Sequence, residues 1–226
     1  MNPKPIVRYV IDACMVLLLP VLMSYNLTGN NFHELLGITI FVLFIAHLCL
    51  NWKWFGRAFA QPMPMNAARI LQTAMNVILL LVMTGMMVSA VLVSRLVFPF
   101  EKPLDGLFAR KVHVCLVTWG FILMSIHLGF HWHVFVNMAN KCSRIYNKRL
   151  ATMVARGIAF AISIYGVISS FVHDFGAKLT MYYGFSFWDP EGNALLFIAD
   201  HFAIMGLYTF IGYYSFKALH RNKKNP

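Results

Sequence analysis

The stretch that decides the fold runs from Phe32 to Phe55 and reads FHELLGITIFVLFIAHLCLNWKWF. From Leu35 to Leu50 it carries no Asp, Glu, Lys or Arg, so it offers the ~20 apolar residues a helix needs to cross a bilayer. Two histidines, His33 and His47, interrupt it fourteen residues apart. At about 100° per residue that step returns to nearly the same helix face, and at about 1.5 Å per residue it separates the rings by about 21 Å along the axis.

Eighty residues later the pattern repeats as VHVCLVTWGFILMSIHLGFHWHVF, residues 112 to 135. His113 corresponds to His33, His127 to His47, Leu128 to Leu48, Trp132 to Trp52 and Phe135 to Phe55. The segments before the two copies also align loosely, VLLLPVLM from Val16 over VILLLVMT from Val77 and Arg8 over Arg69. Leu and Val match cheaply in membrane helices, so the histidines and tryptophans carry the comparison.

Working outward, six apolar stretches can be read, at 6 to 27, 33 to 54, 70 to 93, 112 to 136, 153 to 174 and 195 to 218. The 226 residues are 59% hydrophobic and only 12% charged, with a mean hydropathy of +0.65. A soluble domain carries about 25% charged residues. The reading is an all-α, polytopic membrane helix bundle of six transmembrane helices, one integral membrane domain over residues 1–226. Spans one to four form a four-helix core of two tandem hairpins (1–136), and residues 137–226 add two further helices. No room is left for a separate soluble domain.

The net charge is +11, yet the basic residues fall between apolar stretches rather than along polar faces beside stacking aromatics, which argues against a nucleic-acid partner. Fourteen Lys and Arg fall in one set of alternate connections: Lys4, Arg8, Lys53, Arg57, Arg69, Lys141, Arg144, Lys148, Arg149, Arg156, Lys217, Arg221, Lys223 and Lys224. The other set holds five, Arg95, Lys102, Arg110, Lys111 and Lys178, with seven of the eight acids. Cytoplasmic loops retain basic residues, so both termini are expected in the cytoplasm, and a bacterial inner membrane is the expected location. The AFAQ sequence from Ala58 resembles a signal-cleavage site but lies beyond a second full span, and the first span is read as retained. Cys14, Cys49, Cys115 and Cys142 form neither C-x-x-C nor C-x-x-C-H and are read as packing residues.

Spans two and four run in the same direction, so their histidines fall at matching depths and form two tiers of imidazoles, one near each surface. A haem takes two imidazoles on opposite faces of its ring. Zinc or copper wants three or four ligands converging on one point, which two-plus-two at separate depths does not offer. The expected cofactors are two noncovalent haem b groups, one held by His33 and His113, the other by His47 and His127. Gly37 and Gly120 would let a flat macrocycle approach the backbone, or serve helix packing. Arg110 and Lys111, just ahead of His113, are candidate partners for haem propionates, as are Lys53, Arg57 and Arg69, which ordinary charge bias at the cytoplasmic face also explains.

The remaining histidines leave alternatives open. His131 and His133 are interfacial residues, a proton relay or a quinone contact. His173 and His201 are open to a quinol or proton site or to replacing a haem ligand, and His220 sits in the basic tail. The 14 methionines, such as Met15, Met23, Met75, Met83, Met86, Met87 and Met205, are spread over the spans and are read as packing. The connection YYGFSFWDPEG from Tyr182 is an interface anchor or a docking surface for an external redox partner.

The H-x13-H interval on two parallel helices is similar to the dihaem core of b-type membrane cytochromes, including quinol-oxidising cytochrome b and ferric-reductase-like proteins. The span from Phe32 to Phe55, after RYVIDACMVLLL and an LTG turn, resembles the flavinylation-associated cytochromes. The resemblance covers the first four spans, with about 55 residues at its best. It implies His33 and His113 as ligands of an outer haem and His47 and His127 as ligands of an inner one. It also implies electron transfer between a quinone pool or cytoplasmic donor and an extracytoplasmic redox protein of flavin-carrying type. Lipid is the other partner, and a quinone is a further candidate ligand. The competing readings are a self-contained haem reductase and, from a different class, a transporter or membrane anchor. Pro20 and Asp12 are the few marks in favour of a transporter.

Overall fold

The computed structural model describes residues 3–59, 67–101, 105–142, 148–182 and 193–221. Within them the helices are α1 (Pro3–Met23), α2 (Tyr25–Thr28), α3 (Asn30–Leu50), α4 (Trp52–Phe59), α5 (Ala67–Val93), α6 (Gly106–Cys142), α7 (Lys148–Val172), α8 (Phe175–Leu179) and α9 (Ala194–Arg221). Six of them, α1, α3, α5, α6, α7 and α9, are long and apolar enough to cross a membrane. Six crossings return the chain to its starting side, here called the terminal end. The opposite side is the far end.

A helix satisfies its own backbone polar groups, which hydrocarbon cannot do. The polar side chains inside these helices follow the same rule and turn back onto carbonyls one turn earlier. Thr84 donates to Leu80 at 2.8 Å, Thr118 to Val114 at 2.7 Å and Ser125 to Phe121 at 2.7 Å.

Helix α6 extends past both ends of the expected 112–136 span, to Gly106 and Cys142, and two expected span ends move inward. The first span ends at Met23 rather than near residue 27, because the chain turns through α2 and through Gly29, whose φ of 78° lies in the left-handed region that favours glycine. The second span stops at Asn51, whose side-chain amide donates to the His47 carbonyl at 2.9 Å. The chain then enters α4, with Trp52 70% exposed. The residue matching Asn51 in the second copy is His131, and there α6 continues without a break.

The helices pack as α1 on α3 and α5 on α6, while α9 lies against both α6 and α7 and touches α1. Glycines set the closest approaches. At Gly129 a Cβ would strike the Thr209 carbonyl and come within 2.7 Å of the Tyr213 nitrogen; at Gly212 it would strike the Ile126 carbonyl. Gly166 and Gly206 do the same for α7 against α9, where the Ala203 carbonyl and Ile162 Cγ2 stand in the way. Thr209 donates to the Ser125 carbonyl across α6 and α9 at 3.1 Å. Leu19, Ile40, Phe121, Ile122, Phe175, Ile204 and Met205 form the core.

Among the described residues α3 and α6 do not pack closely along their backbones. The first helix pair is tied to the second at the far end by Glu34. Its carboxylate accepts from the Ser94 hydroxyl at 2.6 Å, from the amides of Arg95, Leu96 and Val97 at 2.8, 3.0 and 3.1 Å, and from Asn30 at 2.8 Å. At the terminal end Arg8 of α1 donates to the Leu50 carbonyl of α3.

Candidate functional site

The far-end pair comes from α3 and α6. The rings of His33 and His113 have centroids 6.4 Å apart and planes at 83°. His113 is oriented from α5: its Nδ1 lies 3.0 Å from the Ser89 hydroxyl, which donates its own proton to the Met86 carbonyl at 2.8 Å. The Ser89 oxygen therefore accepts from Nδ1–H, and this network assigns the His113 Nε2 as a bare lone pair. Nδ1 of His33 is buried without a hydrogen-bond partner. Tyr25 packs edge-on against His33 at 5.1 Å, and the Arg110 guanidinium lies 5.5 Å from the Tyr25 ring centroid. Lys111, the next residue along α6, is half-buried.

The terminal-end pair is built differently. His47 Nδ1 lies 2.6 Å from Asp12 Oδ1 on α1, a charge-assisted hydrogen bond that again leaves Nε2 free. His127 lies 4.8 Å from the His131 ring, and its Nδ1 is buried without a partner. His47 and Asp12 are within electrostatic range of both His127 and His131. His131 is occupied by Gln72 of α5, whose amide lies 3.4 Å from Nε2. The antiparallel pairing of Ser89 with His113 and of Gln72 with His131 places Asn76 level with His127. The Asn76 amide oxygen is likewise buried and unpartnered.

The two glycines differ in surroundings. A Cβ at Gly37 would meet nothing within 4 Å, whereas at Gly120 it would meet Met83 and Val82 of α5 at ordinary contact distances. Gly37 thus borders open space, and Gly120 faces a packed helix. Lys102, residues 183–192 of the aromatic connection and the tail beyond Arg221 lie outside the described residues, as does the side chain of Arg57.

An iron bridging two imidazoles would put their centroids about 6 Å apart, from two metal–nitrogen bonds of about 2 Å and about 1 Å from each nitrogen to its ring centre. The His33–His113 separation of 6.4 Å fits that span, and the lack of close backbone packing between α3 and α6 fits a flat group held between them. Among the described residues no three or more His, Cys, Asp or Glu gather as a metal cage.

A second polar cluster joins α7 and α9. Asp200 accepts from Tyr165 at 2.6 Å and is paired with His173 Nε2 at 2.9 Å. Its neighbour His201 is fully buried, stacks on Phe197 at 4.2 Å and donates from Nδ1 to the Phe197 carbonyl at 2.8 Å, with Nε2 unpartnered. On α8, burial pushes the Lys178 ammonium below its usual pKa. His133 and His220 turn back onto the carbonyls of Phe130 and Phe216.

Asp12, Ser89, Glu34, Gln72 and Asn76 are polar contributors not assigned from the sequence. For Asp12 a signal existed: a carboxylate inside an apolar span must find a partner. Ser89 and Glu34 gave none, since their roles depend on which helices meet.

The architecture defines the class, an all-α polytopic bundle with six helices of membrane-spanning length. Comparison with protein-family models, with curated proteins and with solved structures gave no match.

Proposed function

We propose that the chain is a dihaem b-type cytochrome that carries electrons across a membrane. The observation that carries this reading is the His33–His113 pair, two rings 6.4 Å apart on helices that do not otherwise pack closely, in a sequence that repeats the same fourteen-residue histidine interval on both helices. His33 and His113 would hold one haem and His47 and His127 the other. When bound, each haem supplies one-electron iron chemistry.

The protein's own residues orient and protect. Ser89 and Asp12 each hold the Nδ1 proton of a histidine, which leaves Nε2 as the lone pair available to a ligand. Arg110 and Lys111 supply positive charge for propionates at the far end. The core around Phe121, Ile122 and Ile204 packs α6 against α9.

Several finer parts belong to the same proposal. The first two helix pairs are tandem hairpins, and the terminal end, rich in Lys and Arg, faces the cytoplasm. The resemblance to flavinylation-associated cytochromes makes an extracytoplasmic, flavin-carrying redox protein the partner and a quinone pool or cytoplasmic donor the source of electrons. Haem counting on single variants tests the ligand set. His113→Ala is expected to lose about one haem per chain, and His201→Ala none. Two haems retained in His113→Ala would contradict the assignment.

A further inference from the structure

The Nδ1 atom of His127 is buried without a hydrogen-bond partner. Three other histidines, His133, His201 and His220, turn Nδ1 back onto a carbonyl of their own helix. His127 does not, so its acceptor is to be sought on a neighbouring helix. A histidine that binds iron through Nε2 carries its proton on Nδ1, and burying that proton without an acceptor is costly.

His131, whose ring lies 4.8 Å away, cannot serve. The Gln72 side-chain amide donates to its Nε2, which leaves the His131 proton on Nδ1 and makes that atom a donor. The packed helix α5 offers Asn76 instead. Four residues along α5 from Gln72 and four residues back along α6 from His131 bring Asn76 level with His127. Counting from the Ser89–His113 contact, thirteen residues back along α5 and fourteen forward along α6, reaches the same level. The atom of Asn76 that is buried and unpartnered is its amide oxygen, an acceptor. A buried donor lacking an acceptor and a buried acceptor lacking a donor therefore stand at one level on two packed helices.

The first helix pair already shows the arrangement. Asp12 of α1 takes the Nδ1 proton of His47 on α3, and His47 is the residue that His127 repeats. We propose that Asn76 is the positioning residue of His127, its Oδ1 accepting from Nδ1–H and fixing the ring with Nε2 as the coordinating atom. The proposal rests on the reading of His127 as a haem ligand.

The test uses the purified, haem-loaded chain and reads midpoint potentials beside a haem count. An acceptor on Nδ1–H makes an imidazole a more basic ligand and favours ferric iron, so removing and strengthening it act in opposite directions. In Asn76→Leu the component that disappears in His47→Ala should shift about three- to tenfold toward the ferrous state, with the other unmoved. Asn76→Asp, which supplies a carboxylate, should shift the same component the other way. A packing role would move the two variants alike. Loss of that haem in Asn76→Leu, with Asn76→Asp keeping it at a lowered midpoint, also supports the proposal. Should neither variant hold the haem, a structure of the haem-loaded wild type decides. Asn76 Oδ1 is expected about 2.7–3.2 Å from His127 Nδ1, and Nδ1 bonded to a different acceptor overturns the proposal. Shifts of one sign in both variants, movement of both components, or two haems with unmoved midpoints overturn it as well. No haem in the wild type overturns instead the cytochrome reading beneath it.

Discussion

The spacing that singles out His33, His47, His113 and His127 as candidates was legible in the sequence because one interval occurs twice, and a repeated spacing places side chains on a face without any knowledge of neighbours. Their partners were not legible. The Asp12–His47 and Ser89–His113 contacts join residues 35 and 24 positions apart on different helices, and only packing decides such pairs. Two outcomes follow for individual side chains. His47→Ala or His127→Ala should each remove about one haem per chain and leave the far-end haem reducible, measured by haem extraction and reduced-minus-oxidised spectra. His131→Ala should keep both, because its Nε2 is taken by Gln72; loss of one would transfer the ligand role from His127 to His131. A spectroscopic signature is also expected: ring planes at 83° predict a strongly anisotropic low-spin ferric resonance from the far-end site, and loss of that signal in His33→Ala would check it.

Helix existence was readable from hydropathy, but helix ends were not. The apolar run through Trp54 gave no warning that Asn51 would cap α3 and turn the chain into α4, since the aligned residue in the other copy, His131, lets α6 continue. Which glycines matter was equally hidden: Gly129 and Gly157 look alike in sequence, yet only Gly129 meets a neighbouring backbone. Gly129→Ala should therefore destabilise the α6–α9 contact by about 1–3 kcal/mol through overpacking. Gly157→Ala, where a Cβ meets nothing, should not, as thermal unfolding in detergent would show. The Glu34 contacts predict a subtler result for the link between α3 and the turn after α5. Glu34→Ala frees three amides and the Ser94 hydroxyl, so the far-end haem should be lost or loosened while the terminal-end haem stays. Equal loss of both would assign Glu34 a general stabilising role instead.

For the molecule entire, six apolar segments and the membrane class came from hydropathy and composition, because 12% charged residues is about half of what a soluble domain carries. The way the helices group did not. The tight association of α9 with α6 and α7, and the looser association of α3 with α6, depend on small residues whose partners lie on other helices. Reporter fusions at residue 226 and in the connection after Val93 should place the first in the cytoplasm and the second outside; the opposite result would contradict the cytoplasmic placement of the terminal end. The most direct measurement is a pyridine-haemochrome count on the purified chain after expression with ample haem. The account predicts two noncovalent protohaems per chain, with a reduced spectrum typical of b-type cytochromes. A folded, helical, monodisperse protein with no Soret absorbance would contradict it.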